Sequence, residues 1–141
     1  MVKFLDTNIL VYAAGSVSQD DESEDSRKRV RALELIASGD CALSGQVLVE
    51  FYFNATKASK LNLPPEIALE WLEDFRRFPV VPVTADLVAR GAAVAIRYQL
   101  RYWDGAIIAA AQEIGAETLY SEDLNHGQRY GSVRVVNPFV A

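Results

Sequence analysis

Along the 141-residue chain, short apolar runs alternate with longer stretches in which apolar residues recur at helical spacing. The short runs predict strands at Lys3–Leu5, 41–43, 80–83, 117–120 and Val133–Val136. Between them, Val30, Leu33, Leu35 and Ile36 mark a helix over 27–37, with Gly39 placed to stop it. A second helix is expected over 46–59. A third begins at Pro64-Pro65, carries Ile67, Leu69, Trp71, Leu72 and Phe75 on one face, and ends before Pro79. Thr84 or Asp86 can cap a helix reaching about Tyr98, and Asp104 opens an apolar helix through Ile114 with Gly115 as its stop. Strands alternating with helices predict an α/β fold: a single three-layer domain, residues 1–141, with a short parallel sheet flanked by helices on both faces.

Composition changes this picture little. Half the residues are hydrophobic and 23% are charged, which is ordinary for a globular chain and excludes collagen-like or wholly disordered ones. No apolar run approaches a membrane span, and Asp6 interrupts the opening segment where a secretory apolar region would build, so a cytoplasmic protein is expected. Cys41 is the one cysteine and reads as a buried thiol. The net charge of −5 owes much to Asp20, Asp21, Glu22, Glu24 and Asp25; without those five, 14 acidic residues face 14 basic ones. The polar segment 15–26 that contains them has no periodicity and is expected to be a mobile loop.

Four acids stand out by position. Asp6 directly follows the first strand, and Asp123 follows the strand ending at Tyr120, so parallel pairing sets both at one end of the sheet, where open α/β folds bind ligands. Asp104 lies in the first turn of a helix that is apolar almost all round. Glu50 sits among Val47, Leu48, Val49, Phe51 and Phe53, where an unpaired charge would cost several kcal/mol or be neutralised. One shared site accounts for all four. Close carboxylates repel, a hard divalent cation relieves the repulsion, and oxygen ligands favour magnesium or manganese over zinc. Phosphoryl transfer is the chemistry that best matches such a cluster.

Separate explanations exist for each acid. Asp6 could form a turn with Thr7 and Asn8. Asp104 could cap its helix or pair with Arg101. Glu50 could pair with Lys57 or Lys60, although both are more than a helical turn away. Glu122 competes with Asp123 for one ligand position. His126, alone in a polar loop, reads as structural. Trp71 and Trp103 fall in apolar helical patterns and read as core or subunit-interface residues in preference to base-stacking platforms. Arg97 and Arg101 share a face with Asp104 if one helix runs through Leu100, which makes them candidates for contact with a phosphate backbone, a solvated or acid-paired face being the equal alternative.

The segments LDTNIL with Asp6, QVLVEFY with Glu50, YWDGAIIAAA with Asp104 and LYSEDLNHGQ with Asp123 resemble, in order, the four acidic motifs of the PIN-domain family. Small single-domain members are mostly VapC-type toxins of toxin–antitoxin pairs. The resemblance implies a Mg2+- or Mn2+-dependent endoribonuclease in which Asp6, Asp104 and Asp123 hold the metal. Glu50 would bind through water or orient the attacking hydroxide, leaving a 3′-hydroxyl and a 5′-phosphate. It also implies supporting polar roles for Asn8, Ser44 and Ser121, a homodimer, an RNA substrate and a cognate antitoxin. A non-cleaving RNA-binding or protein-interaction module on the same fold is the alternative, which the intact acidic quartet argues against. A receiver-like phosphoacceptor would need an acid adjacent to Asp6 and a lysine near a late strand, and a haloacid-dehalogenase-type phosphatase would need an acid where Asn8 stands.

Overall fold

The computed structural model describes residues 1–15 and 23–140. Among them the chain forms, in order, β1 (Lys3–Leu5), α1 (Thr7–Ala14), α2 (Glu24–Ala37), β2 (Cys41–Ser44), α3 (Gly45–Thr56), α4 (Pro65–Phe75) and β3 (Val80–Val81). Then follow α5 (Ala85–Tyr98), α6 (Tyr102–Glu113), β4 (Thr118–Tyr120), β5 (Arg129–Tyr130) and β6 (Val133–Val136). The sheet order is β3-β2-β1-β4-β6-β5, parallel throughout except for the β5 edge. This is the expected single α/β domain.

The order of the strands fixes where the helices go. From β1 the chain steps outward to β2 and β3, then returns across the sheet to β4. Right-handed crossovers therefore lay α1 to α4 on one face and α5 and α6 on the other. The packing agrees, with α1 against α2 and α3, α3 against α4, and α5 against α6. Connections leave β1 and β4 in opposite directions, so their C-terminal ends flank a crevice, the usual ligand position in such sheets.

The helix pair behind that crevice is held unusually close. From Gly105 through Ala111 every residue of α6 is buried, as its apolar sequence predicts. A Cβ added to Gly105 would stand 2.5 Å from the Gly91 carbonyl oxygen and 2.8 Å from the Ala95 Cβ, and one on Gly91 would stand 2.9 Å from the Ala106 Cα. Two missing side chains thus set the α5–α6 distance and fix the turn of α6 that carries Asp104.

Several elements differ from the sequence expectation, each for a local reason. Helix α1 was not expected: it begins directly after Asp6, its N-cap, and its first turn is made of Thr7 and Asn8, residues that read as a turn after the strand. Helix α2 starts at Glu24, where Ser23 Oγ accepts a hydrogen bond from the Ser26 amide at 3.1 Å. Glu24 and Asp25 are therefore in a helical first turn, which favours acidic side chains, and not in a loop. The rest of the expected mobile loop, 16–22, lies outside the described residues. Strand β3 stops at Val81 because Pro82 has no N–H to extend the ladder. Helix α3 ends at Thr56, three residues short of the expected 59, where Lys57 turns extended. The two-residue edge strand β5 has too little pattern to be read in advance. No helix among the described residues is long and apolar enough to cross a membrane.

Gly105→Ala should therefore lower stability by about 1–3 kcal/mol, the usual cost of overpacking. An unchanged urea midpoint would contradict the close α5–α6 approach.

Candidate active site

Strand register builds the centre of the site. Leu5 pairs with Tyr120, so the residues after them emerge side by side. The Asp6 amide donates to the Tyr120 carbonyl at 3.0 Å. Asp6 Oδ1 accepts from the Thr7 amide at 2.7 Å, and its Oδ2 accepts from Ser121 Oγ at 2.7 Å. Ser121 Oγ in turn accepts from the Asp123 amide at 3.2 Å, and Asn8 Nδ2 donates to Asp123 Oδ2 at 3.1 Å. The segments 6–8 and 121–123 are thereby laced together across the crevice.

Glu50 enters from α3. Ser44 ends β2 and caps that helix by accepting from the Val47 amide at 3.2 Å. Glu50 Oε2 accepts from Thr7 Oγ1 at 2.8 Å, and Oε1 accepts from Gln46 Nε2 at 3.1 Å. The expected apolar surroundings are thus corrected: Glu50 is half-buried and doubly hydrogen-bonded, and its neighbours Val49 and Phe53 are largely exposed. Neither Lys57 nor Lys60 pairs with it. Gln46 Nε2 also reaches the Trp103 carbonyl at 3.3 Å, linking α3 to the start of α6. There Asp104 lies 3.4 Å from Arg101 Nε, the ion pair that the i,i+3 spacing allows.

Asp6, Glu50, Asp104 and Asp123 all line one cleft of about 640 Å³, together with Asn8 and Arg101. The other expected residues do not line it. Ser44 and Ser121 are buried beneath it, one as a helix cap and one as the donor to Asp6. Arg97 is exposed on α5 with its guanidinium over the Tyr98 ring, away from the cleft. Helix α5 ends at Tyr98, as expected, where Gln99 turns left-handed (φ 57°), so the condition of one helix through Leu100 is not met and Arg97 shares no helix face with Arg101 and Asp104. His126 Nδ1 accepts from the Asn137 amide at 2.9 Å and is structural, as expected. Glu122 lines the cleft beside Asp123, but Lys28 Nζ holds it at 2.6 Å and the Tyr12 hydroxyl donates to it at 2.8 Å.

Three contributors were not legible as site residues. Gln46 stands one helical step before Glu50, a spacing that could have revealed it. Thr7 read only as a turn former. Trp103, expected in the core or an interface, is 56% exposed and lines the cleft. Trp71 does pack at the core, 5.8 Å from Phe75.

Burial dominates the electrostatics of Asp6. It pushes the carboxyl from 3.8 up to about 6, against the lowering effect of the Ser121 and Thr7 hydrogen bonds; the charges of Asp123 and Glu50 push it further up. Lys28 is held above the ordinary lysine value chiefly by its hydrogen bond to Glu122. The cleft acids supply only oxygen donors, which fits a hard divalent cation, and buried Cys41 is remote, with Sγ donating to the Leu35 carbonyl. Among the described residues no three acids form a closed ligand group as they stand. Each of the four carboxylates is instead held by a protein donor.

The Asp6 shift has a definite sign. Between about pH 4 and 6 the native state keeps a proton that the unfolded chain has released, so stability is greatest below this window and is lost as pH rises through it. In chelator at pH 7.5, Asp6→Asn should be more stable than the parent by on the order of 1–3 kcal/mol. The difference should vanish below about pH 4 in thermal or urea unfolding. A variant less stable at pH 7.5 would contradict the charge penalty.

The PIN domain family model matches residues 3–131. No curated protein matches the chain at the sequence level. Similar solved structures include the sarcin–ricin-loop-cleaving toxin VapC20 of Mycobacterium tuberculosis, with 19% identity, a TM-score of 0.64, and coverage of 86% of this chain and 89% of that one. A toxin–antitoxin complex from Klebsiella pneumoniae is similar at 21% identity and a TM-score of 0.66, covering 96% and 97% of the two chains. VapBC2 from Rickettsia felis, bound to a DNA fragment from its promoter, is similar at 22% identity and 0.60, again over 96% and 97%. With the family model spanning nearly the whole chain, this protein belongs to the PIN domain family.

Proposed function

We propose that the protein is a metal-dependent endoribonuclease and the toxin of a toxin–antitoxin pair. The observation that carries this reading is the convergence of Asp6, Glu50, Asp104 and Asp123, from four separate segments, on one cleft at the C-terminal edge of the sheet. Family membership and the fold shared with VapC20 support it. In this reading Asp6, Asp104 and Asp123 would hold Mg2+ or Mn2+. The cation supplies charge neutralisation at the phosphate and lowers the cost of ionising water.

The remaining work falls to the chain itself. Thr7 and Gln46 fix both oxygens of Glu50, which orients the attacking water and accepts its proton. Attack at phosphorus breaks the bond to the 3′-oxygen, which takes up a proton, leaving a 3′-hydroxyl and a 5′-phosphate. Ser121 and Thr7 hold Asp6 in one orientation, and Asn8 does the same for Asp123. The partners are an RNA substrate, a cognate antitoxin and a second copy in a homodimer, and the location is the cytoplasm. Val49 and Phe53, exposed one helical step apart on α3 beside Glu50, give a protein partner an apolar foothold.

Purified protein incubated with total RNA should yield discrete fragments with Mg2+ or Mn2+ and none in chelator. Asp104→Asn should reduce cleavage on the order of 100-fold or more, since groups that merely support a metal ligand are worth about 10- to 100-fold. Fragments that persist unchanged in chelator or in the variant would contradict the mechanism. RNA binding without cleavage would favour a non-cleaving module.

A further inference from the structure

An acidic cleft poses a problem for a nucleic-acid ligand. Six acids and two cations, Lys60 and Arg101, line it among the described residues, and Arg101 already pairs with Asp104. Phosphate affinity comes mainly from lysine and arginine, so the cleft itself offers an RNA backbone little. Contact that does not depend on charge would add to what a bound cation supplies in holding the strand.

Trp103 meets that need. A tryptophan more than half exposed is a departure from the usual burial of this side chain, and here it occurs in the wall of the acidic cleft. Its one aromatic neighbour among the described residues is Tyr102, met at 5.2 Å with the rings at 71°. An edge-to-face contact of that kind takes up at most one indole face. The residue is also placed accurately. It precedes Asp104 in the first turn of α6, and its carbonyl is tied to Gln46, the residue that holds Glu50.

We infer that Trp103 is a stacking platform for an unpaired nucleobase of the substrate strand, setting the nucleotide beside the acidic quartet. The inference rests on the ribonuclease reading. Stacking on an aromatic face is available to every base, requires a single strand, and gives affinity with no added positive charge. The platform therefore selects unpaired RNA and leaves sequence choice to other contacts.

The test is fluorescence anisotropy with a labelled ten-nucleotide single-stranded oligoribonucleotide of mixed sequence, and with its duplex. It is run in an Asp6→Asn background, which arrests cleavage and removes one repelling charge. Trp103→Ala should weaken single-strand binding on the order of 10- to 100-fold, with Trp103→Phe keeping most of it and duplex binding unmoved. Scanning an abasic nucleotide along the strand should find one position whose loss weakens the parent but not Trp103→Ala. Equal affinities for parent and Trp103→Ala, or no such coupled position, overturn the platform. A Trp103→Ala change in oligomeric state with RNA affinity intact also overturns it, by assigning the indole to a second copy. If wild-type protein cleaves RNA and the coupling is absent, the platform fails alone; if it neither cleaves nor binds RNA, the ribonuclease reading fails with it.

Discussion

The structure depends on burying Asp6 in a place where its charge is costly. The carboxyl is 7% exposed, at the junction of β1 and α1, and burial outweighs the two hydrogen bonds it accepts, so its pKa lies near 6. The geometry nevertheless holds it firmly. Ser121 and the Thr7 amide each take one oxygen, and the amide of Asp6 completes the contact with the neighbouring strand. In the proposed reading, a cation bound beside this fixed carboxylate would relieve the penalty on its charge.

The topology makes that arrangement possible. Reversal of the strand order at β1 opens the crevice beside β4, and register alone brings Asp6 next to Ser121. The two helical layers then deliver the other acids from opposite faces of the sheet: Glu50 on α3 and Asp104 on α6. Gln46 bridges them by touching both Glu50 and the backbone of Trp103. The glycines at the α5–α6 contact extend the same logic into the core, because the closeness of those helices fixes where Asp104 stands.

Much of this was legible in the sequence, and the failures have physical causes. Strands β1 and β6 have the bounds that their apolar runs predict, and the acids after β1 and β4 fall at one sheet edge as expected. Helix α1 was hidden because it is short and opens on Thr7 and Asn8, which with Asp6 read as a turn after β1. The end of α5 at Tyr98 was legible, but the left-handed turn at Gln99 that separates Arg97 from Arg101 and Asp104 was not, because a glutamine does not advertise that conformation. Glu50 looked buried because its helix is apolar by sequence, yet Val49 and Phe53 turn to solvent, so hydrophobicity misreported the environment. The core half of the Trp103 reading failed in the opposite sense: an aromatic in an apolar helix is usually core, yet this one is more than half exposed at the cleft.

The most direct test of the central claim is calorimetric titration of the metal-free protein with Mn2+ at pH 6, in two buffers of different ionisation enthalpy. If the cation takes over the carboxylate that burial keeps partly protonated, binding at pH 6 should release about half a proton per ion, against almost none at pH 8. Asp6→Asn should lose the release at pH 6. Mn2+ binding without proton release at pH 6, or release that survives in Asp6→Asn, would contradict the claim that Asp6 is the buried acid on which the site is built.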